Sequence, residues 1–203
     1  MIGIVDYGLG NVRAFENIYR RLGIAAEPVR NAAELEAADR LILPGVGAFD
    51  WAMARLSDSG MIDALNRRVL KEGVPVLGVC VGMQIMARGS DEGSATGLGW
   101  IDGRVERFRD EWFNTRTHLP HMGWNDIEVA GKPALFSEMA APHFYFLHSY
   151  FFHPVDEGHV VARTHYGQIF ASAIRRDNIW ATQFHPEKSH DWGVQLLRNF
   201  AEV

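Results

Sequence analysis

A chain of 203 residues, 47% hydrophobic and 22% charged, is long enough to bury a full core and is expected to form a single domain, residues 1–203. Twenty basic against twenty-five acidic residues leave a net charge of −5, which argues against a basic surface for nucleic acid or an anionic membrane. One cysteine excludes an intrachain disulfide and a cysteine-built zinc site, and no apolar run approaches a membrane span or signal core, so a reducing, cytoplasmic setting is expected.

In chain order, residues 2–6 form a short β-rich run ending at Tyr7–Gly8–Leu9–Gly10–Asn11. Asn11 is placed to cap a helix in which Val12, Phe15, Ile18, Tyr19 and Leu22 recur at helical spacing until Gly23 stops it. The Gly8–x–Gly10 pair invites a dinucleotide-binding reading, but Arg13 stands where the fingerprint needs its third glycine. An extended run over 24–29, a helix over 32–38 and a strand over 40–43 come next. Pro44–Gly45–Val46–Gly47 follows, then helices over 48–56 and 61–72. A buried strand over 74–79 leads through Cys80 into a helix over 83–88. Strands alternating with helices up to this point predict a parallel sheet covered on both faces.

Beyond a polar, glycine-rich loop at 89–99 the texture changes. Short β runs are predicted at 104–108, 124–129, 144–152, 159–164, 168–175 and 179–184, with turns at Gly131–Lys132–Pro133 and Arg176–Asp177–Asn178. They add antiparallel strands to the parallel core. Segment 109–117 carries no pattern, and a last helix over 189–203 presents Trp192, Leu196, Leu197 and Phe200 on one face.

Cys80 is flanked by Gly78 and Gly82, the pattern of a nucleophile elbow, in which a side chain on a sharp strand-to-helix turn needs neighbours without Cβ. The N–H groups and dipole of the following helix would favour its thiolate. A buried structural thiol is the commoner fate of a lone cysteine. What favours chemistry is the company: His185–Pro186–Glu187, at the end of a strand, supplies a base and a carboxylate to orient it. The N–H of Val81 and the glycine-rich Pro44–Gly45–Val46–Gly47 loop are candidate oxyanion donors, although glycines equally suit an ordinary strand-to-helix turn. In open sheets ligands bind beyond the carboxyl ends of the strands, which puts all three segments on one rim. The nine histidines form no metal-binding spacing, so no metal or cofactor is expected. The aromatic run 144–152 reads as a core strand, with His148, Ser149 and Tyr150 polar enough to suggest a ligand or subunit nearby.

These motifs together resemble the class I, triad-type glutamine amidotransferases. Val79–Cys80–Val81–Gly82–Met83–Gln84 is similar to that family's nucleophile motif, and Phe184–His185–Pro186–Glu187–Lys188–Ser189 to its His/Glu motif. Asp6–Tyr7–Gly8–x–Gly10–Asn11, Pro44–Gly45–Val46–Gly47, Pro120–His121–Met122–Gly123–Trp124–Asn125 and Tyr145–Phe146–x–His148–Ser149–Tyr150 narrow the likeness to the histidine-biosynthetic branch. Val81 stands where the family more often has leucine, but only its backbone would be used.

The resemblance implies a flavodoxin-like α/β fold and a glutaminase in which Cys80 attacks, His185 transfers protons and Glu187 orients His185. It implies Val46, Gly47 and Val81 as backbone oxyanion donors, the Val46 peptide turning only when a partner's ligand is bound. Gln84, His148, Ser149 and Tyr150 would contact glutamine. Asn11, Trp124, Tyr145 and Lys188 would face a (β/α)8 cyclase subunit in a heterodimer, where ammonia converts PRFAR into imidazole glycerol phosphate and AICAR. Two alternatives stand beside it: the same glutaminase chemistry serving a surface-sugar amidotransferase, and an inactive scaffold or chaperone of the same fold.

Overall fold

The computed structural model describes residues 1–114 and 118–203; Thr115, Arg116 and Thr117, within the patternless segment 109–117, lie outside the described residues. In the first half, β1 (Ile2–Val5), β2 (Ala26–Val29), β3 (Arg40–Gly45) and β4 (Val76–Cys80) alternate with α1 (Val12–Leu22), α2 (Ala32–Leu35), α3 (Phe49–Asp58) and α4 (Ile62–Asn66). The alternation pairs β1 with β2 and β3, and β3 with β4, all parallel. β1 and β4 are buried along their whole length, as apolar runs covered on both faces must be. The helix expected over 61–72 is α4 followed by a π-helical turn, Arg67–Lys71.

The second half adds α5 (Val81–Gln84), β5 (Gly103–Arg107), β6 (His121–Asp126), β7 (Glu128–Val129), β8 (His143–His148), β9 (Tyr150–Pro154), β10 (Val160–Tyr166), β11 (Gln168–Arg176), β12 (Ile179–Thr182) and α6 (His190–Glu202). Among the described residues the main sheet has the order β2–β1–β3–β4–β12–β11–β10–β7. β12 lies parallel to β4 but antiparallel to β11, so it joins the two halves. Two ribbons, β5–β9 and β6–β8, stand apart from that sheet.

Several expectations need correcting. The run 144–152 is two strands in different ribbons, split at Ser149. The buried residues Phe144, Phe146 and His148 alternate, whereas Phe151 and Phe152 are buried consecutively, and that slip of phase marks the break. The run 124–129 likewise divides: β6 pairs with β8, while β7 crosses to β10. The helix expected over 83–88 begins two residues earlier and lasts one turn. The carbonyls of Ile85, Met86, Ala87 and Arg88 accept from the N–H groups of Leu98, Ile101, Gly99 and Gly97, which replaces further helical bonding. Asn11 precedes α1 but makes no side-chain capping bond.

Candidate active site

Cys80 ends β4, the strand flanked by β3 and β12. The register places Gly45 opposite Cys80 and Thr182 opposite Val79, so chain leaving β3 and chain leaving β12 both pass the sulfur. Cys80 has φ 55° and ψ −111°, a left-handed strain in the turn between β4 and α5. A Cβ on Gly82 would lie 1.8 Å from the Leu43 carbonyl oxygen, and one on Gly78 2.9 Å from that of Gly82, so neither position has room for a side chain. With α5 one turn long, the help it offers the thiol is local N–H groups at its start and not an extended dipole.

His185 lies three residues past β12. Its N–H donates to the Tyr145 carbonyl at 2.9 Å, and its carbonyl accepts from the Ser189 hydroxyl at 2.6 Å. The Ser189 oxygen in turn accepts from Tyr145 N–H at 3.0 Å, so the loop is clipped to β8 from both ends. The start of α6 presses against the same loop, where a Cβ on Gly193 would meet the Pro186 oxygen at 1.8 Å. Thus fixed, His185 Nδ1 lies 2.9 Å from Glu187 Oε1, and both side chains are almost wholly buried. The ring is within hydrogen-bonding reach of the Cys80 sulfur. Burial works against the imidazolium but is outweighed by the charge and hydrogen bond of Cys80 and then by Glu187, and the His185 pKa is raised. Among the described residues Glu187 Oε2 has no hydrogen-bond partner, so the imidazole is what compensates this buried carboxylate.

These groups open into a cleft of about 280 Å3 lined by Val46, Gly47, Cys80, Val81, Gln84, Glu92, Pro120, Leu147, His148, Ser149, Tyr150, His185 and Lys188. Every catalytic, oxyanion and substrate-contact residue expected from the sequence therefore lines or abuts one cleft. A larger depression of about 800 Å3, bounded by residues between 127 and 142, has no cysteine or histidine in its lining. Among the described residues no group of three or more His, Cys, Asp or Glu is arranged to hold a metal.

Two of the residues expected to contact substrate have polar atoms engaged within the protein. Gln84 spends its amide N–H groups inside the protein, on the Tyr150 carbonyl at 3.1 Å and Gln183 Oε1 at 3.0 Å. The His148 ring is likewise engaged, through Nδ1 with the Tyr150 carbonyl at 2.8 Å and through Nε2 with His121 Nδ1 at 2.9 Å. Neither offers those polar atoms to a ligand. Trp124, Tyr145 and Lys188 form one surface group: Trp124 meets Tyr145 edge-on at 6.3 Å, and the Lys188 ammonium lies 5.9 Å from the Tyr145 ring centre. Asn11 is exposed at the start of α1, which packs beside the Pro186–Lys188 turn.

Sequence reasoning missed four contributors. Gln183 donates to the Cys80 sulfur at 3.8 Å, and its place just before Phe184–His185, as a polar residue ending an apolar strand, was its signal. Glu92 is the acidic side chain of the cleft lining, held by Phe49 N–H at 2.8 Å, and nothing in its glycine-rich loop marked it. Tyr7 is buried and donates its hydroxyl to the Pro44 carbonyl at 2.8 Å, bracing the loop before Val46. Burial first, and the charge of Cys80 second, push its pKa far up, so the phenol keeps its proton. Ser189, the clip on His185, completes the set.

Against known proteins, the family model described as "Glutamine amidotransferase class-I" matches residues 3–203. The chain is 51% identical to "Imidazole glycerol phosphate synthase subunit HisH" of Bdellovibrio bacteriovorus and 47% identical to the protein of that name from Leptospira interrogans, with full coverage of both chains in each case. A namesake from Methanothermobacter thermautotrophicus is 44% identical over all of this chain and 98% of its own. Among solved structures, "Crystal structure of glutamine amidotransferase" is 26% identical, with a TM-score of 0.76 over 99% of this chain and 97% of that one. "Structure of PurLQS from Thermotoga maritima", 16% identical with a TM-score of 0.73 over 99% and 97%, shares the fold.

Proposed function

The chain belongs to the class-I glutamine amidotransferase family, and on that premise we propose that it is the glutaminase subunit of an imidazole glycerol phosphate synthase. The observation that carries the reading is the convergence at one cleft of a strained cysteine, an imidazole within its reach and a buried carboxylate 2.9 Å from that imidazole. Cys80 gives its proton to His185 and attacks the side-chain amide of glutamine, forming a C–S bond as the carbonyl π bond opens to an oxyanion. The oxyanion is met by Val81 N–H and by the Val46–Gly47 loop. His185 gives its proton to the departing ammonia, leaving a glutamyl thioester. It then takes a proton from water, whose attack releases glutamate and restores the thiol. Glu187 holds the ring so that one nitrogen faces this exchange. Glu92 is the carboxylate placed to receive the α-ammonium of glutamine.

Ammonia released into water becomes ammonium and loses its nucleophilic lone pair, so its route must be closed off. The outward face of β6–β8 is suited to that closure. Met122, Trp124 and Leu147 are exposed there, and Leu147 also lines the cleft. Asn11, Trp124, Tyr145 and Lys188 dock a (β/α)8 cyclase subunit, which adds the ammonia to PRFAR in histidine biosynthesis. The isolated chain hydrolyses glutamine weakly until that subunit is liganded.

Cys80→Ala in the reconstituted complex tests the whole. Glutamine-dependent synthesis is expected to fall by about a thousandfold or more, since nothing replaces the nucleophile, while synthesis from added ammonium salt continues. Retained glutamine-dependent turnover, or no association with the cyclase, would overturn it.

A further inference from the structure

Beneath the outward face of β6–β8 lies a buried pair of histidines that the proposed chemistry does not use. His121 and His148 are 3% and 6% exposed, and their rings are joined through Nδ1 and Nε2 at 2.9 Å. His148 Nδ1 faces the Tyr150 carbonyl at 2.8 Å and must donate, because a carbonyl only accepts. In a neutral ring His148 Nε2 is then the acceptor, so His121 Nδ1 must carry the hydrogen. His121 Nε2, left as an acceptor, faces the Asn125 amide nitrogen at 3.2 Å, which also donates to the His165 carbonyl at 3.1 Å. Every partner thus has a fixed polarity. A proton added to either ring would set two donors face to face.

The Tyr150 carbonyl takes a second hydrogen bond, from Gln84 Nε2. Gln84 also donates to Gln183 Oε1, and Gln183 Nε2 donates to the Cys80 sulfur. One chain of contacts therefore runs from β6 to the nucleophile. The same strand presents Met122 and Trp124 outward, between the inward-facing His121 and Asn125. We propose that His121 and Asn125 are positioning residues for Cys80, acting through His148, the Tyr150 carbonyl, Gln84 and Gln183, and that this neutral relay ties the strand under the docking face to the sulfur.

The surroundings keep both rings neutral. His121 is stacked between Tyr166 at 3.9 Å and Phe146 at 4.6 Å, and Phe170 stands edge-on to it. Phe108, Phe146 and Phe170 enclose His148, and among the described residues the charged group that acts on it besides His121 is His185. The Tyr166 hydroxyl is turned to the His118 carbonyl. Burial lowers the pKa of His121 to about 4, and burial and then the charge of His121 lower that of His148.

The consequence for turnover rests on the glutaminase reading; the relay itself does not, and the test separates them. In the full chain labelled with 15N-histidine, both rings are expected as the Nδ1–H neutral tautomer from pH 5.5 to 8, and an Nε2–H tautomer of either overturns the relay. His121→Leu removes the donor, whereas His121→Asn places an amide N–H near the former Nδ1. Leaving the buried His148 Nε2 without its donor corresponds to roughly a tenfold change, so alkylation of Cys80 by iodoacetamide should change about tenfold in the leucine variant. In the asparagine variant it should stay within about threefold of the parent. With the cyclase bound, the same pattern is expected in kcat for glutamine, with KM moved less. Equal behaviour of the two variants overturns the proposal, and should the leucine variant not fold, the tautomers decide. Failure of the parent complex to release glutamate would sink the glutaminase reading while leaving the tautomer and alkylation results to stand or fall separately.

Discussion

In the parallel half, β3, β4 and β12 are buried, and their backbones run in a register that sets Gly45 against Cys80 and Thr182 against Val79. In the ribbon β6–β8 the sheet is two strands wide, and inward side chains make polar contacts that the backbone does not dictate. The first region positions chemistry by close approach of main chain to main chain. The second positions it by side-chain hydrogen bonds under an apolar outer face. Packing faults should therefore be catastrophic in the parallel half and graded in the ribbon.

Two glycine substitutions put that contrast to the test. Gly82→Ala forces a Cβ to within 1.8 Å of a backbone oxygen, which should cost about 3 kcal/mol or more and leave little folded protein in a urea titration. Gly123→Ala, in β6, meets nothing within 4 Å and bears only the strain of φ 134°, about 1 kcal/mol by the same titration. Similar losses in both would remove the distinction. Glu187→Gln acts on the chemistry itself. It leaves a neutral amide beside His185, and kcat for glutamine in the complex should fall by about a hundredfold, with association unchanged. Tyr7→Phe strips one hydrogen bond from the Pro44 carbonyl, a loss of about 1 kcal/mol that should appear as a fewfold drop in glutaminase rate. No change in rate would mean that the loop before Val46 is held by other contacts.

The same division governs what could be read from the residues. Alternating apolar strands and helices over 1–80 encode the parallel sheet directly, and the carboxyl-end rule gathers Val46, Cys80 and His185 without any side-chain detail. The partner strand of β4 was not legible, because β12 comes a hundred residues later in a stretch that reads as antiparallel. The division at Ser149 was present only as a change of phase, and periodicity over so short a run does not say which ribbon a strand will join. Gln183 and Glu92 were missed for a related reason. Their importance lies in a distance to the sulfur or the cleft, which no local pattern contains.

The mildest test compares the two regions through pH. His185 has its pKa raised on folding, so its contribution to stability is complete below about 6.5, the unfolded value, and is lost as the pH climbs through the folded one. His121 has its pKa lowered to about 4, so the unfolded chain binds more protons between about 6.5 and 4, and stability falls as the pH drops through that window. Each pH unit in it is worth about 1.4 kcal/mol for a single group, or about 2 kcal/mol from pH 6.5 to 5. Urea midpoints at pH 7 and pH 5 should therefore drop more in the parent than in His121→Asn, which has no ring to protonate at that position. At pH 9 the two should behave alike, because His185 is intact in both. A parent and variant with the same acid sensitivity would mean that the ribbon interior admits the proton cheaply, and the contrast between a buried neutral pair and a buried ion pair would be lost.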